Sequence, residues 1–316
     1  MSKHHAVILD EKSFNSGDLD LSNLLKLVDS WDRHLATSTE QRFERLKNAT
    51  IAIANKVVFD KELLEKLPRL KIILLTATGM DNIDLNYCKN NGIITKNVTD
   101  YCSSSVAQHV FSLMLALSTQ LISYQDFTKK GGWTRNEKLT NLVFPIQELS
   151  GKTLGLIGYG NLAKGVEKLA LAFGMKILIA QRVGTTNHSN DRLPLNDLLA
   201  QVDVLSIHCP LTDGTTHLIS TSEFQQMKPT ALLINTARGA VVDNTALAYA
   251  LRNHEIAGAG IDVLDQEPPP SSHPLLADDI PNLILTPHIA WAAVETRQRV
   301  IDKLTKNLED YLKVAS

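Results

Sequence analysis

The sequence has few cysteines, no excess of charge of either sign and no long apolar run. Its 3 cysteines, Cys88, Cys102 and Cys209, are far apart and odd in number, which argues against a disulfide framework or a C-x-x-C metal or redox pair and favours a reducing compartment. Lys and Arg total 32 against 34 Asp and Glu, so the formal net charge of −2 offers no basic field for nucleic acid. No stretch is long enough to cross a bilayer, and the N-terminus lacks a signal-peptide core. We therefore expect a cytoplasmic protein with no metal, nucleic-acid or membrane partner.

The remaining composition is that of an ordinary folded protein. Hydrophobic residues make up 44% and charged residues 21%, and no internal repeat or low-complexity tract is visible. At about 150 residues per domain, a chain of 316 residues predicts two domains.

The first hundred residues alternate short apolar runs with helical patterns such as residues 21–28, which is typical of β-α-β units and a parallel sheet. The strand candidates are residues 6–9, 51–54, 71–75 and 93–95. We therefore predict an α/β fold that begins with a small doubly wound, flavodoxin-like domain.

A long helix is expected to open the second part of the chain. Ser105 and Gln108 match a capping box, and apolar residues recur after them at helical spacing. Six strand candidates follow, at residues 153–157, 176–179, 203–207, 231–235, 258–263 and 283–285. Six parallel strands match a Rossmann dinucleotide-binding sheet. We predict this domain over residues 100–289 and a discontinuous substrate domain over residues 1–99 and 290–316, completed by a helix at residues 295–312, with a cleft between the two.

A dinucleotide fingerprint follows the first strand of the second domain. The segment from Gly158 to Ala163 reads G-x-G-x-x-A, between a strand and a helix. Gly158 permits the tight turn and Gly160 lets the backbone approach a diphosphate, which rests on the helix N-terminus beside Asn161 and Leu162. A plain strand-to-helix turn is the alternative interpretation.

No carboxylate stands about twenty residues on, where an acidic residue would bind the ribose of NAD. The strand ends instead at Gln181 and Arg182. Gln181 can bind a hydroxyl, and Arg182 can pair with a 2′-phosphate. This favours NADP with NAD tolerated, although Arg182 could also simply project into solvent.

Three polar residues stand at or just beyond strand ends: Arg238, Glu267 and His288. Taken singly, they could be a surface arginine, a loop carboxylate and a histidine satisfied by backbone. Their order beside a nucleotide fingerprint favours a functional interpretation, because ligands bind at the carboxyl ends of strands in open α/β sheets. His208 also ends a strand and is expected to border the dinucleotide, whereas packing is the expected role of His109 within its helix.

These motifs resemble the D-isomer-specific 2-hydroxyacid dehydrogenase family, most closely its glycerate dehydrogenase/hydroxypyruvate reductase branch. The likeness runs through essentially the entire chain. The matching segments are residues 77–84, 105–109, 149–163, 208–212, 234–239, 262–268 and 286–288.

The resemblance implies a catalytic set of Arg238, Glu267 and His288, a small 2-oxo or 2-hydroxy acid substrate, and a homodimer. It implies that the substrate carboxylate binds near Thr78 and Gly79, and Asn55 is a further substrate-contact candidate after a first-domain strand. It also implies an Asp262 contact to the nicotinamide amide. The remaining cofactor-contact candidates are Val106, Cys209, Pro210, Thr236 and Ala237.

The chemistry of 2-oxo acid reduction explains why Arg238, Glu267 and His288 would be useful together. Reduction of a 2-oxo acid needs a hydride from nicotinamide and a proton, which His288 can donate when charged. Glu267 would favour the imidazolium and orient it, and Arg238 would hold the carboxylate and carbonyl oxygens.

Two alternatives remain open at this stage. One is a phosphoglycerate dehydrogenase-like enzyme, although only 28 residues (316 − 288) follow His288. The other, from a different class, is a nucleotide-sensing binding protein like the C-terminal binding protein corepressors of the same family.

Overall fold

A computed structural model describes residues 4–136, 138–184 and 191–315. Within them the chain forms two compact units. The first reaches to Tyr101 and resumes at Ala292, and the second spans Cys102–Trp291.

The first unit contains a five-stranded sheet and short helices. Its elements before residue 101 are β1 (His5–Ile8), α1 (Ser22–Leu25), β2 (Ser30–Arg33), α2 (Arg42–Leu46), β3 (Ile51–Ala54), α3 (Lys61–Glu65), β4 (Ile72–Leu75), α4 (Leu85–Asn90) and β5 (Ile94–Lys96). All pairs are parallel, in the order β2-β1-β3-β4-β5. This is the doubly wound order, so the predicted fold class of this unit is confirmed.

The second unit contains a six-stranded sheet. Its elements are α5 (Ser103–Ser118), α6 (Leu121–Lys129), α7 (Gly132–Arg135), β6 (Thr153–Ile157), α8 (Asn161–Ala172), β7 (Lys176–Ile179), α9 (Leu195–Leu199), β8 (Val204–Ile207), α10 (Thr221–Phe224), β9 (Leu232–Asn235), α11 (Asn244–Arg252), β10 (Gly258–Ile261) and β11 (Leu283–Leu285). The chain then returns to the first unit as α12 (Val294–Ala315).

The sheet of the second unit is parallel throughout, in the order β7-β6-β8-β9-β10-β11. Directly after β7, Ala180 forms a single parallel bridge with Leu193. The order reverses between β6 and β8, and such a switch point opens a crevice for ligands at the strands' carboxyl ends.

Apolar composition explains why these segments are strands. Every residue of β3, β4, β8, β9 and β10 is buried, as expected for parallel strands covered on both faces. In α5, the apolar face predicted from its periodicity is buried, including Val110 and Met114 at 0% exposure.

Two local predictions were wrong. Residues 21–28 form only a short helix, and an unpredicted strand, β2, follows it. In α5, the N-cap is Cys102 rather than Ser105. Ser105 lies in the first turn of the helix, where its hydroxyl donates to the Ala290 carbonyl at 2.7 Å instead of capping.

Among the described helices, none alone has the length and apolar character of a membrane span. In the described part of the chain, α5 and α6 taken together, with a 57° bend between them, meet such a criterion by length and composition.

Candidate active site

Arg238, Glu267 and His288 follow three adjacent strands of the second unit. The register pairs Asn235 at the end of β9 with Ile261 of β10, and Ile261 with Leu285 of β11. Because parallel strands present their carboxyl ends at one sheet edge, the three polar residues belong to neighbouring loops.

A direct hydrogen bond joins two of them. His288 Nδ1 lies 2.7 Å from Glu267 Oε2, and Glu267 Oε1 accepts the Leu264 N–H at 2.9 Å. The two side chains are 32% and 34% exposed, so the pair is open to solvent without being fully solvated. This arrangement orients the imidazole ring and leaves Nε2 as the nitrogen that Glu267 does not engage.

The backbone of His288 adopts a left-handed conformation, with φ at +57°. Such a conformation costs a non-glycine residue roughly 1–2 kcal/mol, so surrounding bonds must hold it. The His288 N–H donates to the Asp262 carbonyl at 2.8 Å, and the His288 carbonyl accepts the Trp291 indole N–H at 3.0 Å.

The buried carboxylate of Asp262 fixes the rest of this loop. Oδ1 accepts the Ile289 N–H at 2.9 Å and the Thr286 hydroxyl at 2.5 Å, and Oδ2 accepts the Ala290 N–H at 2.8 Å. Burial alone would raise the pKa of Asp262, but hydrogen bonds from His109, Thr286 and the two amides together lower it. Asp262 is therefore an ionised anchor for the His288 loop.

Arg238 lies on a short loop that β9 positions. The Asn235 side chain donates to the Arg238 carbonyl at 2.9 Å and accepts the Ala237 N–H at 3.0 Å. The guanidinium is exposed, and its Nη1 donates to the Ala237 carbonyl at 2.7 Å. It can thus present further N–H donors to an anion.

The predicted glycine loop lies at the switch point between β6 and β8. Gly158 has φ at +83°, and a Cβ there would lie 2.7 Å from the Cys209 amide nitrogen, so only glycine fits. A Cβ on Gly160 would meet nothing within 4 Å, and α8 begins at the next residue, Asn161. The loop therefore opens the space in front of a helix N-terminus, which suits a diphosphate.

Two orphaned polar atoms support the fit to a dinucleotide. Among the described residues, Thr236 Oγ1 and His208 Nδ1 are buried atoms without a hydrogen-bond partner, at the ends of neighbouring strands β9 and β8. Burial lowers the pKa of His208 to about 4, so this histidine is neutral near pH 7. Its other nitrogen, Nε2, lies 2.9 Å from Ser206 Oγ. A bound cofactor with polar groups at this edge could satisfy the two orphaned atoms.

At the end of β7, the structure adds a basic residue that the sequence did not indicate. Arg182 is exposed, and the Gln181 N–H donates to the Leu193 carbonyl at 2.8 Å. This bond brings Arg192 back to the same edge, where its guanidinium lies 5.9 Å from the centroid of the Tyr159 ring within the glycine loop. Because Arg192 is separated in sequence from Arg182, the sequence alone did not indicate that it lies at this edge.

The substrate-contact candidates of the first unit lie beyond the adjacent strands β3 and β4. Asn55 is 6% exposed, and its N–H donates to the buried Asp10 carboxylate at 2.9 Å. Thr78 is exposed, with its hydroxyl donating to the Val98 carbonyl at 3.0 Å, and Gly79 is half-buried. The loop after β4 thus presents backbone to solvent, whereas Asn55 is largely used internally.

Two predicted cofactor contacts lie in the interior. Val106 is 4% exposed and packs in the core of the second unit, and the Asp262 side chain is 0% exposed. Neither side chain is accessible to a ligand at the surface, because Val106 packs in the core and the Asp262 carboxylate is bonded to the 286–290 loop. The cofactor-facing candidates Leu162, Ala237 and Pro210 are at least partly accessible, while Cys209 is 8% exposed.

No cluster of three or more histidine, cysteine or acidic side chains suited to a metal ion occurs within residues 4–136, 138–184 and 191–315.

Fold and site together define a two-unit α/β protein of the dinucleotide-binding class. Residues 111–290 match the family model described as "D-isomer specific 2-hydroxyacid dehydrogenase, NAD binding domain". The chain belongs to the D-isomer-specific 2-hydroxyacid dehydrogenase family, as its motifs indicated.

Curated relatives cover most of the chain. A glycerate dehydrogenase of Methylorubrum extorquens is 40% identical over 273 residues, which are 86% of each protein. A hydroxypyruvate reductase of Blautia hydrogenotrophica is 34% identical over 312 residues, 97% of this chain and 96% of that protein.

Solved structures share the fold over nearly the full length. The TT0316 protein of Thermus thermophilus superposes with a TM-score of 0.86 at 32% identity, covering 98% of this chain and 97% of that one. A D-lactate dehydrogenase of Aquifex aeolicus, complexed with NAD and lactic acid, gives 0.82 at 31%, covering 98% and 96%. An acyclic imino acid reductase, Bsp5, in complex with NADPH and D-Arg, gives 0.83 at 28%, covering 98% and 97%.

Proposed function

We propose that this protein is an NAD(P)-dependent D-2-hydroxyacid dehydrogenase that interconverts hydroxypyruvate with D-glycerate, or glyoxylate with glycolate. The observation that carries the proposal is the hydrogen bond between Glu267 and His288 at 2.7 Å, on loops of the unit that also contains the glycine loop. The names of the relatives support the choice of small 2-oxo acids.

The cofactor, when bound, supplies or accepts the hydride. Gly158, Gly160 and the N-terminus of α8 would hold its diphosphate. His288, oriented through Nδ1 by Glu267, donates a proton from Nε2 to the substrate oxygen during reduction and removes it during oxidation. The negative charge of Glu267 stabilises the protonated ring that the reductive direction requires.

Arg238 is proposed to bind the carboxylate and carbonyl oxygens of the substrate through two N–H donors. Its planar guanidinium can form a bidentate contact that a lysine cannot reproduce. The contact fixes the oxo acid and stabilises negative charge on its oxygen in the transition state. The backbone of Thr78 and Gly79 remains a predicted further contact for the carboxylate.

The test is a substrate panel of hydroxypyruvate, glyoxylate, pyruvate and phosphohydroxypyruvate with each reduced cofactor, followed by loss of absorbance at 340 nm. We expect the highest kcat/KM with hydroxypyruvate or glyoxylate. A preference for phosphohydroxypyruvate would instead indicate a phosphoglycerate dehydrogenase. Absence of turnover with every acid, together with nucleotide-dependent peptide binding, would overturn the enzyme proposal in favour of a corepressor-like protein.

His288→Ala tests the proton-transfer role. We expect kcat to fall by about 10²-fold to 10⁴-fold, with little change in the Kd for NADH measured by fluorescence. His254→Asn is the control, because His254 is an exposed histidine whose φ of +54° asparagine tolerates. Equal turnover in His288→Ala and the control would remove His288 from the mechanism.

For the cofactor, we propose a preference for NADP with NAD tolerated. The support is the absence of a carboxylate at Gln181 and Arg182, together with the return of Arg192 to the same edge. Two guanidinium groups favour a 2′-phosphate over a plain hydroxyl. Arg182→Ala and Arg192→Ala should each lower the ratio of kcat/KM for NADPH to that for NADH, and an unchanged ratio in both would refute the assignment.

We further propose a homodimer, as the family resemblance implies. Support comes from apolar side chains within residues 121–146, directly after α5, that have at least half their surface exposed, a pattern typical of an interface. They are Leu121, Ile122, Trp133, Leu139, Leu142, Val143 and Ile146. Sedimentation equilibrium should give twice the chain mass, and the double variant Leu139→Glu/Leu142→Glu should shift it to the single-chain mass. A wild-type monomer would refute the proposal.

A further inference from the structure

A polar chain runs from helix α5 to the loop that carries His288. His109 lies on α5, and its Nε2 is 3.0 Å from Thr286 Oγ1 and 3.5 Å from Asp262 Oδ1. The His109 side chain is 18% exposed, and that of Asp262 is fully buried. The three groups therefore interact with one another in the interior of the second unit.

The direction of these bonds follows from the chemistry of the groups. The Asp262 carboxylate can only accept, so the Thr286 hydroxyl proton points to Oδ1 at 2.5 Å. The Thr286 oxygen is then left to accept from His109, which must carry a proton on Nε2. His109 is thus the donor at the start of the chain, and Asp262 is the acceptor at its end.

Asp262, the acceptor at the end of these hydrogen bonds, holds the loop that carries His288. Both Asp262 carboxylate oxygens accept backbone N–H groups immediately after His288, from Ile289 and Ala290. The Asp262 carbonyl accepts the His288 N–H itself at 2.8 Å, and the His288 backbone is left-handed. Rotation of the Asp262 carboxylate would therefore break the bonds from Ile289 and Ala290, the two residues that immediately follow the left-handed backbone of His288.

We propose that His109 is a positioning residue for the reaction. By donating to Thr286, it fixes the Asp262 carboxylate and so keeps the His288 ring in the position where it is hydrogen-bonded to Glu267. The inference rests on the proposed function, in which His288 transfers the proton. It assigns a role to a histidine that contacts neither His288 nor the expected ligands.

The kinetic test uses four variants. His109→Leu removes both ring nitrogens at similar volume, and His109→Gln retains an N–H donor near Nε2. Thr286→Val removes the bridging hydroxyl, and Gln108→Leu is the matched control, since Gln108 is an exposed neighbour on the same helix.

We expect kcat to fall about 10-fold in His109→Leu and Thr286→Val, with an unchanged Kd for NADH, and to be largely restored in His109→Gln. The double variant His109→Leu/Thr286→Val should be no slower than Thr286→Val alone, because both substitutions break one chain. Wild-type kcat in His109→Leu, or multiplicative losses in the double variant, would overturn the inference.

A second readout does not depend on turnover. Nitrogen-15 NMR of histidine-labelled protein should show His109 protonated at Nε2, and His109→Leu should shift the His288 ring signals while leaving those of His254 in place. Unmoved His288 signals would refute the positioning role. If the wild-type protein reduces no 2-oxo acid, the proposed function fails, and these signals still decide whether His109 orders the loop.

Discussion

Gly239 offers a sharp test of how the site is assembled. This buried residue follows Arg238, and a Cβ added to it would lie 1.9 Å from the Leu264 carbonyl carbon and 2.3 Å from the Asp265 nitrogen. Both neighbours are backbone atoms, so no side-chain rotation can make room. Since carbon atoms pack at roughly 3.5–4.0 Å, Gly239→Ala must push the two segments apart by roughly 1.5 Å or more.

The displaced segment leads to Glu267. The Leu264 N–H donates to Glu267 Oε1, while Oε2 holds the His288 ring. Overpacking of this kind typically costs about 1–3 kcal/mol, and misplacing a reacting group by about 1 Å can cost on the order of 10²-fold in rate. We therefore expect Gly239→Ala to lower the free energy of unfolding by about 1–3 kcal/mol and kcat/KM by on the order of 10²-fold.

The assay pairs urea unfolding, followed by tryptophan fluorescence, with steady-state kinetics on hydroxypyruvate. Gly214→Ala is the matched control, because its Cβ would lie 3.5 Å from Val183 Cγ1, an ordinary contact. If Gly239→Ala matched Gly214→Ala in both stability and kcat/KM, the close packing of Gly239 on Leu264 would not be what positions Glu267.

Two other predictions concern titratable groups. The Arg297 guanidinium donates to Asp18 at 2.7 and 2.8 Å and lowers the pKa of that carboxyl from 3.8 to about 2, so the pair stabilises the first unit above about pH 4 and loses that effect as the pH falls to 2. Asp18→Asn should therefore have a lower Tm than wild type at pH 7, and the difference should close between pH 4 and 2; a constant difference would contradict this sign. Burial raises the pKa of Cys88 to about 11 and also raises that of Cys209, so both should resist maleimide at pH 8 in the native protein and react after unfolding in urea. Rapid native labelling of either, mapped by mass spectrometry, would refute their burial.

The sequence predicted elements best where burial imposes a strong pattern. β3, β4 and β8 are covered on both faces, so each appears as a short apolar run between polar segments. β2 was missed because it is an outer strand with no fully buried residue, and Ser30, Asp32 and Arg33 leave no such run. Its pairing with β1 is decided by tertiary context, which a local pattern does not contain.

The capping error has a comparable cause. Ser105 has the residue type and the spacing to Gln108 that favour a cap, but its hydroxyl is used by Ala290, at the end of the loop beyond β11. The same side chain can satisfy a helix end or a distant carbonyl. Only the packing of α5 on the sheet determines which bond forms.

The same distinction separates the residues of the candidate site that sequence reasoning found from those it missed. Arg238, Glu267 and His288 could be selected because each follows a recognisable strand, and parallel strands bring their carboxyl ends together whatever the details of packing. His109 could not be selected in this way, since its partner Thr286 is 177 residues away and reaches it only across the packed face of α5. Groups that meet a ligand are therefore indicated by strand ends, whereas a group that holds them in place depends on which helix covers the sheet, and a local sequence pattern does not contain that packing.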